Sequence, residues 1–226
     1  MYGVRWPDAL GIWRVAMVCL TVTTAQAQEP VVKMPASLID FRGQAASVEV
    51  RILARSAFEA RDAQARPFAV VDKKQARLFV FSADGRLAGA APVLLGLARG
   101  DASSAPDLAR RTPGGLAPWE RTTPAGRFES APGRNDKGEA IVWVDYATAI
   151  AIHRLRPAPA SERRPQRLAS PTPQDNRISL GCIVVAPSFY DDVVAPTLGR
   201  QHGTVYVLPD AGDWRDVFGW TTGADL

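Results

Sequence analysis

The pattern of hydrophobic and polar positions changes its period once along the chain, near residue 67. Before that point, apolar residues at helical spacing predict a packed helix within 44–62, namely Ala46, Val50, Leu53, Ala57 and Phe58. The segment 48–52 also alternates as a strand does, so a strand is the competing prediction there. After that point, short runs rich in β-branched and aromatic residues alternate with polar turns. They predict a β-meander over 68–72, 77–82 and 87–95.

The later patterns extend the β prediction and add one helix. Glycine, serine and proline dominate 96–119, which predicts a long loop, and 133–138 reads as a turn. Further strands are expected at 127–130, 139–145, 149–153 and 204–208. A helix is expected at 187–198, because proline opens it, acidic residues follow and Gly199 comes next. These patterns predict a mainly β fold with one or two peripheral helices.

Residues 1–27 have the three-part pattern of a secretory signal peptide. Arginines precede a short apolar run over 15–24, and Ala25-Gln26-Ala27 forms a small-x-small cleavage site. The apolar run is too short to span a bilayer comfortably. We expect cleavage near Gln28, removal of Cys19 with the signal, and a periplasmic or exported protein without a stable membrane anchor.

Composition narrows the class of partner. The formal net charge of +4 becomes +3 when 1–27 is removed, and no long basic run or basic–aromatic pattern occurs. Such a mild excess does not predict nucleic-acid binding, although it favours anionic partners. The sequence also has no cysteine–histidine cluster with metal-ligand spacing and no phosphate-binding glycine motif. We therefore predict neither a metal nor another cofactor, and nothing indicates the oligomeric state.

The stretch 176–185 carries the clearest candidate for chemistry, Cys182. A serine and a glycine precede the thiol, and such a turn can bring backbone N–H groups together beside a nucleophile that must stabilise an oxyanion. The same residues are compatible with a buried core strand, because free cysteines are among the most buried residues. After removal of 1–27, Cys182 is the only thiol of an exported chain. A single cysteine makes no internal disulfide, which favours a retained reactive thiol.

A histidine at the end of a predicted strand is the candidate partner of this thiol. His153 closes the apolar run 149–153, and one long loop joins it to the cysteine stretch. An imidazole in this position can hold the sulfur as a thiolate. His202 is the rival base, but it lies in a helix-to-strand turn where we expect it to be exposed.

These residues resemble the catalytic domain of L,D-transpeptidases, also called the YkuD domain. His153, a loop and Ser179-Leu180-Gly181-Cys182 resemble the family motif of a histidine, a loop and Ser/Thr-His-Gly-Cys. Residues 123–128, Thr-Pro-Ala-Gly-Arg-Phe, resemble the family's Thr-Pro-x-Gly-x-Phe turn and strand, and 68–81 resembles its first hairpin. The resemblance covers roughly 67–209 and is made of short motifs in the right order.

The resemblance implies a fold, a domain division and an activity. It implies a YkuD-like β-sandwich with a long active-site loop over 67–209, after a lead-in and helix at 28–66 and before a tail at 210–226. It further implies a transferase of the bacterial cell wall that acts on peptidoglycan stem peptides. In this family the cysteine attacks at the L-centre of meso-diaminopimelate, expels D-alanine and passes the acyl group to an amine.

The family's residue roles carry over to matching positions of this chain. Cys182 corresponds to the nucleophile, His153 to the general base, and Ser179 to the serine of the cysteine motif. The backbone carbonyl of Arg154 is expected to orient the imidazole. The expected oxyanion hole consists of the backbone N–H groups of Leu180, Gly181 and Cys182.

Three departures from the family pattern put full catalytic competence in question. Leu180 stands where the family has a second histidine, and Val184 stands where an arginine or asparagine is often found. In addition, 26 positions separate His153 from Ser179, which makes the loop longer than usual.

The long loop is rich in arginine and proline. Arginines that can bind the carboxylates of a stem peptide, and so substitute for the polar side chains that Leu180 and Val184 replace, are Arg163, Arg164, Arg167 and Arg177. The alternative interpretation is a solvated connection stiffened by prolines. Three aromatic residues are expected in the core, with groove lining as the alternative: Trp119, Trp143 and Tyr146.

Two other classes of function remain open. A hydrolase of stem peptides would use the same cysteine and histidine, with water in place of the acceptor amine. A non-catalytic wall-binding scaffold would keep the fold while its motif degenerates, and it would have no need of an activated thiol. The reactivity of Cys182 separates the scaffold from the two enzymes, and the products formed from muropeptides separate the two enzymes from each other.

Overall fold

The computed structural model of the protein describes residues 39–103 and 116–219, which belong to one compact unit. The predicted signal peptide at 1–27 lies outside these residues, as do part of the predicted loop 96–119 and the end of the tail 210–226. In the described part of the chain, no helix is long and apolar enough to cross a membrane.

The described residues form ten strands. They are β1 Phe68–Asp72, β2 Arg77–Phe81, β3 Leu87–Pro92, β4 Leu95–Gly96, β5 Gly126–Arg134, β6 Ala140–Asp145, β7 Ile150–Arg154, β8 Arg177–Ser179, β9 Ile183–Val185 and β10 Gly203–Val207. Eight of them form one sheet in the order β3-β2-β1-β10-β5-β6-β7-β9, and β4 pairs with β8 in a small second sheet. The β1–β10, β7–β9 and β4–β8 pairs are parallel.

One face of the large sheet encloses the main core. Val80 near one end of the sheet and Val185 on the last strand belong to the same buried cluster, so the sheet curves until its two halves face each other. Alternation of side chains along each strand gives every strand one apolar face toward this cluster. The prediction of a mainly β fold is confirmed, and the two halves of one curved sheet form the two layers of the predicted sandwich.

The other face of the sheet is covered by two helices, α1 Val48–Glu59 and α4 Trp214–Phe218. The helical prediction for 44–62 is confirmed, and the competing strand at 48–52 is wrong. The Ser47 hydroxyl caps α1 by accepting from Val50 N–H at 3.3 Å, and it also donates to the Asp72 carboxylate at 2.6 Å. The segments that precede and follow the strands in the sequence therefore pack on the same face of the sheet.

Three elements differ from the sequence prediction. Strand β5 continues to Arg134 through Pro132, because β10 pairs only with its first half and leaves an edge where proline costs no ladder bond. The helix predicted at 187–198 is a short α3 (Pro187–Phe189) followed by a π-helical turn, Tyr190–Val194. The loop after β7 is partly ordered as helix α2, Arg164–Ala169, which has a proline in its first turn.

Candidate active site

The parallel pair β7–β9 brings the histidine and the cysteine to one face of the sheet. Its register places Ile152 beside Ile183 and His153 beside Val184. Ile152 and Ile183 point into the main core, so the alternating side chains of His153 and Val184 lie on the opposite face. Cys182 precedes Val184 by two positions and packs in the same small cluster as that valine. Because side chains alternate between the two faces of a strand, His153 and Cys182 lie on the same face although they are distant in sequence.

His153 is held in one orientation by the backbone that follows it. The residue is only 8% exposed, and its Nδ1 lies 2.7 Å from the carbonyl oxygen of Arg154. Because a carbonyl can only accept, this contact places the proton on Nδ1 and leaves Nε2 as the acceptor. The contact is the one that the family resemblance implies for Arg154, and the catalytic role of His153 remains a prediction.

The surroundings of His153 favour its neutral form. Burial of the imidazole lowers its pKa below the ordinary 6.5, and the positive charges of Arg156 and Arg164 act in the same direction. The Arg154 carbonyl and the negative charge of Glu139 act in the opposite direction without outweighing them. At neutral pH the ring is therefore uncharged and able to accept a proton.

Gly181 permits the turn that presents the cysteine. Its φ of +127° belongs to a region that side chains with a Cβ rarely adopt. A Cβ at this position would also lie 2.6 Å from the Thr122 carbonyl oxygen and 2.7 Å from the Ile150 side chain. Glycine is thus required here both for the conformation and for the close approach of the Thr122 backbone.

Ser179 organises this turn from within. Its buried hydroxyl accepts from Gly181 N–H at 3.1 Å and donates to the Cys182 carbonyl at 2.7 Å. The Gly181 N–H predicted for the oxyanion hole is thereby engaged in the turn. The observed contacts of Ser179 shape the backbone around the thiol.

Thr123 organises the same turn from outside. Its fully buried hydroxyl donates to the Gly181 carbonyl at 2.8 Å and accepts from Gly96 N–H at 2.9 Å. Thr123 is the first residue of the Thr-Pro-x-Gly-x-Phe segment, which the sequence marks as a family hallmark but to which it assigns no contact.

A charge network that is buried except for Asp101, whose side chain is 32% exposed, adjoins the cysteine turn and is formed by Lys73, Asp101, Arg177 and Asp210. Lys73 Nζ donates to Asp101 at 2.6 Å and to the Thr123 carbonyl at 2.8 Å, and the Lys73 side chain has no exposed surface. Arg177 pairs with Asp210 and also donates to the Lys73 carbonyl at 2.9 Å. Burial raises the pKa of Asp101, but its hydrogen bonds with Lys73 and the Asp210 N–H outweigh this and hold it below the usual value.

The network corrects the expectation that Arg177 binds substrate. Its side chain is only 7% exposed, and its guanidinium is engaged by Asp210 and a backbone carbonyl. Arg177 begins β8, and Ser179 ends that strand, so the arginine anchors the strand that leads into the cysteine turn. The sequence places Lys73 between two predicted strands and gives no signal for Asp101 or Asp210, because no local pattern links positions so far apart.

Cys182 lies half-buried beside the β6–β7 turn. Its Sγ is 3.6 Å from the carbonyl oxygen of Ala149, a residue with a φ of +56°. Around it, Val184 is fully buried with Leu94 and Leu168, the last of which comes from helix α2. The long loop therefore packs onto the cluster that contains the cysteine. The same burial means that Val184 offers no surface to a substrate.

Of the other three arginines expected to bind substrate, Arg163 is exposed, whereas Arg164 and Arg167 are half-buried. Arg164 forms an ion pair with Glu162, and Arg167 donates to the carbonyls of Glu162 and Asp175 at 2.9 and 3.0 Å. Arg163 is exposed and, with Arg167, lines a polar surface depression. Two of the three arginines are thus partly engaged within the loop.

Leu180 and two of the three aromatic residues expected in the core are exposed. Leu180 is 49% exposed, whereas Trp119 and Tyr146 are 76% and 67% exposed. The expectation that Trp119 and Tyr146 belong to the core is wrong, because they lie in a short 3₁₀ turn and in the β6–β7 turn. Trp143 is half-buried and packs edge-on against Tyr146 at 5.1 Å.

Two further expectations concern histidine and metal. His202 is exposed and precedes β10, which two strands separate from β7 in the sheet. Within 39–103 and 116–219, no group of three or more histidine, cysteine, aspartate or glutamate residues has a geometry that could hold a metal ion.

Two solved structures are similar to parts of this chain. One is the L,D-transpeptidase LdtMt1 in complex with imipenem, with 18% identity and a TM-score of 0.33, over 63% of this chain and 58% of that one. The other is the NMR structure of the catalytic domain of an E. faecium L,D-transpeptidase, with 19% identity and a TM-score of 0.34, over 62% and 95% of the two chains. The chain thus spans less than two thirds of the first. No family model and no curated protein matches the chain.

Proposed function

We propose that this protein is an L,D-transpeptidase-like cysteine acyltransferase acting on peptidoglycan stem peptides. The observation that carries the proposal is the placement of His153 and Cys182 on one face of β7–β9, with His153 Nδ1 held by the Arg154 carbonyl. The family motifs around both residues supply the substrate class.

The proposed reaction has two acyl-transfer steps. His153 Nε2 takes the thiol proton, and Sγ attacks the amide carbonyl at the L-centre of the donor. The tetrahedral oxyanion collapses to a thioester as the C–N bond breaks, and the imidazolium gives its proton to the departing D-alanine amine. An acceptor amine then attacks the thioester, passes a proton to His153 and releases the thiolate.

The two side-chain departures from the family affect substrate contacts more than this chemistry. Backbone donors can stabilise an oxyanion whatever side chain they carry, so Leu180 is compatible with the proposed hole. Its exposed apolar side chain replaces a polar one at the rim of the site. Val184 is buried, so the contact provided elsewhere by an arginine or asparagine has to come from another residue. We assign this part to the exposed Arg163 and its neighbour Arg167.

Covalent labelling tests the proposed nucleophile. Imipenem, a carbapenem, should add its mass to the protein, and Cys182→Ala should abolish that adduct. His153→Ala should slow labelling by about a hundredfold, the usual scale for loss of a positioned base. His202→Ala is the matched control and should label at the original rate. Undiminished labelling of Cys182→Ala would show that the reactive group lies elsewhere.

Muropeptide products then identify the acceptor. Incubation with purified tetrapeptide muropeptides, followed by mass spectrometry, should yield cross-linked dimers through an L-centre and free D-alanine. Release of D-alanine without dimers would instead identify the hydrolase. Absence of both products, together with a Cys182 no more reactive toward iodoacetamide than a free thiol, would identify the non-catalytic scaffold.

The proposed location follows from the pattern of residues 1–27. We propose export through a cleavable signal peptide, with a mature N-terminus near Gln28. Intact-mass analysis of exported protein should show that the first 27 residues are missing. Exported protein that still carries Met1 would contradict this.

A further inference from the structure

Two hydroxyl groups hold the two peptide carbonyls that flank Cys182. Thr123 Oγ1 donates to the Gly181 carbonyl, before the cysteine, and Ser179 Oγ donates to the Cys182 carbonyl itself. Both threonine and serine are buried, and they come from different segments of the chain. The backbone on each side of the thiol is therefore fixed by a side chain.

The direction of the Thr123 hydroxyl proton follows from its partners. The Gly96 N–H, 2.9 Å from Oγ1, can only donate, so the hydroxyl accepts there. Its own proton is consequently directed at the Gly181 carbonyl, 2.8 Å away. The threonine acts on this carbonyl as a donor with a defined orientation.

Fixing that carbonyl also fixes the next N–H. In a planar trans peptide the C=O and N–H point in opposite directions, and the described residues contain no cis peptide bond. The Cys182 N–H therefore points away from Thr123. A carbonyl that accepts a hydrogen bond also makes the N–H of the same peptide a stronger donor. The Gly181 N–H, in contrast, donates to Ser179.

We propose that Thr123 is a positioning residue that aims the Cys182 N–H at the oxyanion by holding the Gly181 carbonyl. This inference rests on the proposed acyltransferase function. The inference gives different roles to two N–H groups of the predicted oxyanion hole. The Cys182 N–H is the donor that Thr123 orients, and the Gly181 N–H stabilises the turn.

Thr123 is itself held rigidly. Its carbonyl accepts from the buried Lys73 Nζ at 2.8 Å, which ties it to the charge network. On the other side, a Cβ at Gly96 would lie 2.7 Å from Thr123 N, so only glycine allows β4 to approach this closely. A residue fixed at both its hydroxyl and its carbonyl is suited to hold another group in place.

Two reagents that modify Cys182 distinguish the orientation of its N–H group from the general reactivity of its sulfur. Iodoacetamide alkylates sulfur by forming an S–C bond as iodide leaves, and no oxyanion develops. Imipenem acylates sulfur through a tetrahedral oxyanion: the S–C bond forms, the lactam C–N bond breaks and the nitrogen takes a proton. Only the second reaction requires the Cys182 N–H to be aimed, so the ratio of the two rate constants reports the role proposed for Thr123.

Three variants of the intact protein complete the test. Thr123→Val keeps the shape but removes the hydroxyl, and it should slow acylation about tenfold or more while alkylation keeps its rate and pH dependence. Thr123→Ser restores the hydroxyl and should return acylation to within about threefold of the original rate. Thr122→Val is the matched control, because its hydroxyl donates to the Ala102 carbonyl at 2.8 Å and not to the cysteine turn.

Each other outcome has a defined meaning. Equal slowing of both reactions in Thr123→Val would show a general disturbance of the thiol and overturn the inference, as would unchanged acylation. A serine variant as slow as the valine variant would overturn it too. If the unmodified protein is alkylated but never acylated at Cys182, the proposed function itself fails and takes the inference with it.

Discussion

Two groups of charged residues adjoin the cysteine turn, and they differ in where their charges lie. In the charge network, Arg177 and Lys73 face two carboxylates, and every one of these charges has a partner within the protein. In the loop that contains α2, Arg163 is exposed and takes part in none of the ion pairs found among the described residues. The first region holds the backbone of the turn, whereas the second presents charge to solvent.

This difference shows that burial, and not residue type, decides what an arginine does near this site. A buried charge that loses its partner retains the cost of desolvation, so its removal is strongly destabilising. An exposed ion pair contributes about 0–1 kcal/mol, because water solvates both partners nearly as well. The network is therefore suited to fix geometry, and the exposed Arg163 is suited to exchange water for a ligand.

The largest effect is expected for removal of the buried lysine. Lys73→Met leaves the partly exposed Asp101 without its cation and the Thr123 carbonyl without its donor, so it should lower the free energy of unfolding by about 1–3 kcal/mol. Chemical denaturation measures this decrease. Arg163→Ala is the control from the exposed region and should change stability by less than about 0.5 kcal/mol.

A double variant tests the electrostatic cause of that decrease. Lys73→Met/Asp101→Asn removes one charge of each sign and leaves the Arg177–Asp210 pair intact. It should be more stable than Lys73→Met alone, because position 101 no longer carries a charge without a partner. If the double variant loses as much unfolding free energy as the two single variants together, Lys73 and Asp101 contribute independently. The electrostatic explanation of the decrease would then be wrong.

The two regions also mark the limit of what could be predicted from the sequence. Local periodicity located most of the strands, helix α1 and the strand-end His153, because each depends on neighbouring residues. The cysteine turn was predicted from its glycine. The contact of Thr123 with Gly181 and the pairing of Lys73 depend on segments that meet only after folding. The sequence analysis also placed Arg177 among the arginines expected to bind substrate, because residue type alone does not show whether a side chain is buried.

A smaller effect is expected in the exposed region. If Arg163 and Arg167 bind a carboxylate of the donor, Arg163→Ala/Arg167→Ala should raise KM for a tetrapeptide donor about two- to tenfold with little change in kcat. The effect should diminish at high salt, where exposed charges are screened. Arg55→Ala, an exposed arginine on α1, is the control. An unchanged KM at low salt would identify the loop as a solvated connection.

The smallest effect concerns the pH dependence that connects the loop to His153. If His153 is the base of the proposed acylation, proton transfer needs its neutral form. The rate of imipenem acylation should then fall as pH drops through the pKa of this histidine, which lies below its ordinary 6.5. Arg164 is one of the positive charges that lower it. Arg164→Gln removes this unfavourable interaction with the imidazolium, so the pKa should rise and the acid limb should move toward neutral pH, by less than about one unit. Glu139→Gln removes a negative charge that raises the pKa, so it should move the limb the opposite way. Arg163→Gln should leave the limb in place, and an equal shift in this control would mean that the profile reports net charge rather than the neighbours of His153.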